Sequence, residues 1–248
     1  MTNRALLTYL FIAGISTTAW ADPQAVAQTA HGQNGFLDAL KPDAYWVDCS
    51  TVNPSFSKEM AAQAQKRRVR FIDAPVFGSK QPARDGQLPF FAGEEREDIA
   101  ALAPYFDIMG KSVRHVGAAG MGAAIKMVLN ILLAQNMLIF SEAVAFGKAL
   151  GFSQDALFEI ILGGPMAAPY LAFKSKKIEE GVYDPDFPLK WMHKDLHLVA
   201  LTAFENGVPL PSCAVAKEIF AGAKQAGLAE KDFAVLFDHI VNRKRPKP

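Results

Sequence analysis

Strand-like runs stop at Ala118 in this 248-residue chain, and everything after that point reads as helix. Before it, short apolar segments rich in aromatic and β-branched residues alternate with helix formers. Tyr45-Trp-Val-Asp-Cys-Ser50 and Arg70-Phe-Ile-Asp-Ala-Pro-Val76 read as strands, with a helix over 53–64 between them. Pro89-Phe-Phe-Ala-Gly93 and Ser112-Val-Arg-His-Val116 read as two more strands, flanking a helix over 95–106. That alternation predicts an α/β layered sheet. A near-continuous helical pattern then runs from about Gly120 to Leu150 and stops at Gly151. At the helical rise it would be about 45 Å long, too long for one small lobe, so it links two domains or forms part of a subunit interface. Ser153 is placed to cap the next helix, which ends before Gly163-Gly-Pro165. Another begins near Pro188 and ends at Asn206-Gly207, and two more follow over 213–226 and 230–242. The expected organisation is an α/β piece over 1–118 and an all-α piece over 119–248.

Half of the residues are hydrophobic and the formal net charge is +1, so no general attraction to nucleic acid or acidic membranes is expected. The polar residues Lys126, Asn130, Gln135 and Asn136 interrupt the best candidate for a membrane span. Cys49 and Cys213 are too far apart in sequence to suggest a disulfide framework. His193 and His197 have helical i,i+4 spacing but lack the intervening glutamate and third ligand of a zinc site, so no metal is expected. The basic ending over 243–248 reads as a solvated tail. Residues 1–21 have the positive start, apolar centre and Ala-Trp-Ala end of a secretory signal; the competing reading is a buried strand around residues 15–21.

Within Gly122-Ala-Ala-Ile-Lys-Met-Val-Leu-Asn-Ile-Leu-Leu-Ala134 the long polar residues are Lys126 and Asn130, one helical turn apart on one face. Two readings compete for Lys126. An ammonium among Ile, Met, Val and Leu is costly to desolvate, and burial lowers its pKa toward the range useful for proton transfer. A helix lysine can also simply snorkel to solvent. Gly117-Ala-Ala-Gly-Met-Gly122 follows a strand and opens a helix, but its glycine order is not that of a dinucleotide turn. Glycines that let the helix pass close to the sheet are the better reading. Asp48-Cys-Ser-Thr51 and Asp73-Ala-Pro-Val-Phe-Gly-Ser-Lys80 both lie where strands end, the edge at which open α/β sheets collect ligands. Helix capping by Ser50, Thr51 or Asn53, and a simple turn at Gly78, are the ordinary alternatives. Phe187-Pro-Leu-Lys-Trp-Met-His-Lys-Asp195 opens a helix with Lys190 and Lys194 on one face, for which exposed charge is the usual explanation.

In order, Asp48–Thr51 with Pro54, Asp73–Lys80 with Asp85-Gly-Gln-Leu88, Gly120–Lys126 with Asn130, and Phe187–Lys190 with Lys194-Asp195 resemble the β-hydroxyacid dehydrogenase family. That family includes 3-hydroxyisobutyrate dehydrogenase, and the glyoxylate/succinic semialdehyde reductase branch is the most similar. The resemblance covers about residues 15 to 240. It implies an incomplete Rossmann-type nucleotide-binding domain followed by a 6-phosphogluconate dehydrogenase-like helical domain. It also implies that Lys126 is the catalytic acid/base, that Gly78, Ser79, Asn130 and Phe187 bind substrate, and that Thr51, Lys194 and Asp195 contact the cofactor. The cofactor would be NADP or NAD, with NADP preferred, and the substrate a short carbonyl or hydroxy acid.

Two departures stand out. The family usually has serine where this chain has Phe77, so one hydroxyl contact is lost and the pocket narrows. The first βαβ unit with its G-x-G-x-x-G turn has no counterpart in the sequence, which also supports a rival reading as a non-catalytic helical oligomerisation module. The helical half predicts a homo-oligomer. The family's fourth strand would fall at 15–21, making the signal-like look accidental and the protein cytoplasmic; an exported binding protein is the alternative.

Overall fold

The computed structural model describes residues 15–18 and 22–242. Most of the signal-like segment and the basic ending lie outside the described residues. Ile15–Thr18 is a strand, as the second reading of that segment expects.

The sheet has five strands in sequence order, β1 Ile15–Thr18, β2 Tyr45–Asp48, β3 Arg70–Asp73, β4 Leu88–Gly93 and β5 Gly110–Gly117. β1, β2 and β3 run parallel, with Thr18 level with Asp48 and Asp48 level with Asp73, so their carboxyl ends align. β4 is antiparallel to β3, and β5 is parallel to β4. Side chains along β2 and β3 alternate between two apolar layers. Trp46 and Phe71 enter one, with Val26 and Ala30 of α1 (Pro23–His31) and Met60 and Ala64 of α2 (Pro54–Lys66). Val47 and Ile72 enter the other, with Phe90, Ile99 and Phe106. The Trp46 ring meets Phe36 and Phe71 edge-on, at centroid distances of 5.2 and 4.7 Å. A short helix α3 (Lys80–Arg84) lies between β3 and β4.

The helix expected over 95–106 is two helices, α4 (Arg96–Ala101) and α5 (Ala103–Met109). Pro104 lacks an N–H and its ring clashes with the preceding turn, so it can sit only at the start of a new helix.

Helix α6 spans Met121–Ala149, 29 residues, about 43 Å. The chain divides into two compact units inside this helix, one ending at Leu129 and the other beginning at Asn130. Contrary to the expectation from its polar interruptions, α6 is long and apolar enough to cross a membrane by length and composition. Buried Asn130 and Ser141, with Ala134, Met137 and Val144, mark a face used for packing within the protein.

The second unit is helical, with α7 (Gln154–Gly163), α8 (Leu171–Glu180), α9 (Leu189–Glu205), α10 (Pro211–Ala223) and α11 (Leu236–Val241). Ser153 caps α7 by accepting the Ala156 N–H at 3.2 Å. α8 has no counterpart in the sequence reading. The helix expected over 213–226 passes into a π turn at Lys224–Leu228, and that expected over 230–242 begins as a 3-10 turn at Phe233–Val235. The rings of Phe140, Phe158 and Phe237 cluster, and α9 packs along α10.

Candidate active site

In the first unit the site begins with how α6 is attached to the sheet. Asp73, the last residue of β3, is buried and accepts the Gly120 N–H on one carboxylate oxygen and the Ala123 N–H on the other, each at 2.7 Å. These are two of the otherwise unpartnered donors of a helix N-terminus, satisfied by a carboxylate from another element. Burial pushes the Asp73 carboxyl up to about 7, against the downward pull of those two N–H groups. So close an approach needs glycine. A Cβ on Gly122 would lie 2.5 Å from the carbonyl oxygens of Asp73 and Phe91. Gly120, with φ 91°, takes a conformation that other residues rarely adopt. The Gly117–Gly122 run therefore seats the helix on the sheet.

Lys126 lies on the second turn of this anchored helix. It is half-buried, and its ammonium donates to the Val76 carbonyl at 2.7 Å and lies 5.5 Å from the centroid of the Phe77 ring. The snorkelling alternative does not describe it, because the amine points at the loop that follows β3. The next residues of that loop, Gly78 and Ser79, are exposed, and their N–H groups have no partner among the described residues. Gly78 has φ 133°, which turns the backbone away from its pairing with β4. The structure thus groups an amine with two free backbone donors, a set suited to a carboxylate beside a polar carbonyl.

Thr51 follows β2 at the same sheet edge. Ser50 donates both its N–H and its hydroxyl to Asp48, at 3.1 and 2.5 Å. Asn53 occupies the N-cap position of α2 without capping it, donating instead to the Ser55 hydroxyl at 2.6 Å. Burial raises the Cys49 thiol, and the neighbouring Asp48 charge adds to this, so Cys49 stays protonated and is no nucleophile.

In the second unit, Asn130 and Asp195 are buried, and the Asn130 amide donates to the Asp195 carboxylate at 2.6 Å. The other oxygen of Asp195 pairs with the ammonium of Lys194, whose side chain is 17% exposed. Lys194 is therefore no ordinary surface charge, whereas Lys190 is, pairing with exposed Glu230 at 2.7 Å. The carbonyl oxygen of the Asn130 side chain is buried with no partner among the described residues. Phe187 has a different set of partners. Its ring packs on Phe233 at 5.8 Å, and its N–H donates to buried Asp232 at 3.2 Å.

Asp232 and Lys174 were not singled out from the sequence. Asp232 receives the Lys174 ammonium at 2.8 Å and the N–H groups of Asp186, Phe187 and Ala234, fixing the segment that leads into α9. The partners lie 58 residues apart in the chain, so no local pattern announces them.

Within the first unit, the aligned carboxyl ends of β1, β2 and β3 fit the nicotinamide half of a dinucleotide. The glycine turn that would hold a diphosphate is not among them.

Comparison with known proteins places these features in one family. Residues 13–125 match the family described as the NAD binding domain of 6-phosphogluconate dehydrogenase. Residues 120–240 match the NAD-binding domain of NADP-dependent 3-hydroxyisobutyrate dehydrogenase. The chain is 34% identical over 220 residues to glyoxylate/succinic semialdehyde reductase 2, chloroplastic, of Arabidopsis thaliana, covering 89% of this chain and 62% of that protein. It is 32% identical to glyoxylate/succinic semialdehyde reductase 1 of Arabidopsis thaliana, covering 89% and 76%. The fold matches the structure of Mycobacterium tuberculosis 3-hydroxyisobutyrate dehydrogenase with L-serine, with a TM-score of 0.83, 25% identity, and coverage of 92% of this chain and 79% of that one. The chain belongs to the β-hydroxyacid dehydrogenase family.

Proposed function

We propose that the protein is a nicotinamide-dependent reductase of short carbonyl acids, of the semialdehyde or glyoxylate type, with Lys126 as its general acid and base. The observation that carries this reading is the grouping of the Lys126 ammonium with the free N–H groups of Gly78 and Ser79. The two N–H groups receive the substrate carboxylate, and Lys126 donates its proton to the carbonyl oxygen as that oxygen gains charge. In the reverse direction the neutral amine removes the hydroxyl proton. The nicotinamide, when bound, supplies or accepts the hydride. Asn130, one helical turn along α6, offers an amide oxygen without a partner and is assigned a contact with the substrate hydroxyl. Leaving such an oxygen unsatisfied costs about 1–3 kcal/mol. Phe187 is assigned to the apolar lining. Thr51, Lys194 and Asp195 are assigned to the cofactor, and NADP is preferred because the family matched over 120–240 is described as NADP-dependent.

The protein is further read as a homo-oligomer that meets a second copy along α6. Met121, Val128, Leu132, Ile139 and Phe146 are exposed at heptad-type spacing on that helix. A cytoplasmic location follows from the dependence on intracellular nicotinamide pools. The test is steady-state reduction of succinic semialdehyde and glyoxylate with NADPH and with NADH, alongside a binding titration of each cofactor. Micromolar binding with turnover supports the reading. Absence of binding at millimolar cofactor would leave the non-catalytic helical module as the better account.

A further inference from the structure

The residue beside the amine is a phenylalanine, and its position is set by the sheet. Residues 75–77 extend β3 alongside β4. The Phe77 N–H donates to the Pro89 carbonyl at 3.1 Å, the Phe91 N–H donates to the Pro75 carbonyl at 3.1 Å, and Val76 bridges Phe90 in antiparallel fashion. Pairing ends at Gly78, where the two free N–H groups begin. The Phe77 ring therefore sits at the last fixed point before the anion-receiving backbone, 5.5 Å from the Lys126 nitrogen. It is 37% exposed, whereas Trp46, Phe71 and Phe90 on the sheet are buried. An apolar ring held half in solvent, between an amine and two open donors, is placed to touch whatever those groups hold.

A ring of this kind offers hydrocarbon surface and a π face that favours the neighbouring ammonium, but it offers no hydrogen bond. A 3-oxo acid with its carboxylate on Gly78 and Ser79 and its carbonyl oxygen on Lys126 would span the gap between them. The carbon joining those two groups, with its substituent, lies against the ring. A methyl group there exchanges water for hydrocarbon. A hydroxyl there gives up its water and receives nothing in return.

We propose that Phe77 is the specificity-determining residue of this site, selecting 3-oxo acids with hydrogen or an alkyl group on the bridging carbon over those with a hydroxyl there. The proposal rests on the catalytic reading of Lys126 above. Discrimination of a methyl from an isosteric hydroxyl by an apolar wall is about tenfold to a hundredfold.

The experiment measures kcat/KM for two 3-oxo acids that differ only in carrying methyl or hydroxyl on carbon 2, with the wild type, Phe77→Leu and Phe77→Ser. The wild type should favour the methyl compound by about tenfold or more. Phe77→Leu, which keeps the apolar surface, should keep that preference, and Phe77→Ser should move the ratio at least about tenfold toward the hydroxyl compound. A ratio that Phe77→Ser does not change, or a wild type that prefers the hydroxyl compound, would overturn the proposal and leave the role of Lys126 intact. A wild type that binds cofactor and reduces succinic semialdehyde or glyoxylate but neither 3-oxo acid would overturn this proposal alone, and one that binds cofactor yet turns over none of the four would overturn both.

Discussion

Asp73 should make the protein lose stability as pH rises, in a direction opposite to the usual surface carboxylate. In the folded chain its carboxyl is 1% exposed and titrates at about 7, against an ordinary value of 3.8. The folded state therefore holds this proton more tightly than the unfolded state. The stability it contributes is complete below about pH 4 and is lost as pH rises through about 7. Between those limits each pH unit removes about 1.4 kcal/mol, so roughly 2–3 kcal/mol should disappear between pH 5 and 8. For a chain of this size that corresponds to about 5–10 °C in Tm. Other groups also titrate in this range, so the informative quantity is the difference between the wild type and Asp73→Asn. The asparagine keeps an acceptor for one of the two helix N–H groups and has no proton to release. Urea unfolding of both proteins at pH 5, 6, 7 and 8 should show the wild type losing roughly 2–3 kcal/mol relative to the variant. Stability curves that run parallel across that range would refute the argument.

Three further outcomes follow from named contacts. Asp232→Ala leaves the nearly buried Lys174 ammonium without its carboxylate and frees the Asp186 and Phe187 N–H groups. Breaking such a pair should cost about 3–5 kcal/mol in denaturant unfolding. Gly122→Ala forces a methyl to within 2.5 Å of two backbone oxygens under α6. It should cost about 1–3 kcal/mol, and an unchanged urea midpoint would mean that the helix is not seated on the sheet. Leu132→Glu puts a charge into the exposed apolar stripe of α6 and should lower the solution mass to that of a monomer. An unchanged oligomer would place the interface elsewhere, and a monomeric wild type would dismiss it.

The strands at 45–50 and 70–76 were legible because β-branched and aromatic residues alternate toward two apolar layers, as Trp46 and Val47 do. The long helix was legible from unbroken composition, and its end from Gly151. The break at Pro104 could have been read from the proline itself. α8 was not read from the sequence, and the partner that buries its Lys174 lies 58 residues away. The antiparallel pairing of β3 with β4 likewise depends on long-range contacts. At the site, Lys126 and the residues at the strand ends carry local signals: an amine in an apolar helix and glycines where strands stop. The role of Asp73 carries none, since its helix partners are 47 and 50 residues away. What the sequence shows well is which groups are chemically able. Which of them are held together is decided by contacts between distant segments.

The central claim is that the Lys126 ammonium, held beside Val76 and Phe77, moves the proton. Its most direct test is the turnover of succinic semialdehyde by Lys126→Ala at saturating NADPH, with cofactor affinity and Tm measured on the same preparation. The account predicts a fall of about 10²–10⁴-fold in kcat, with cofactor affinity and Tm little changed. Turnover equal to that of the wild type would contradict it.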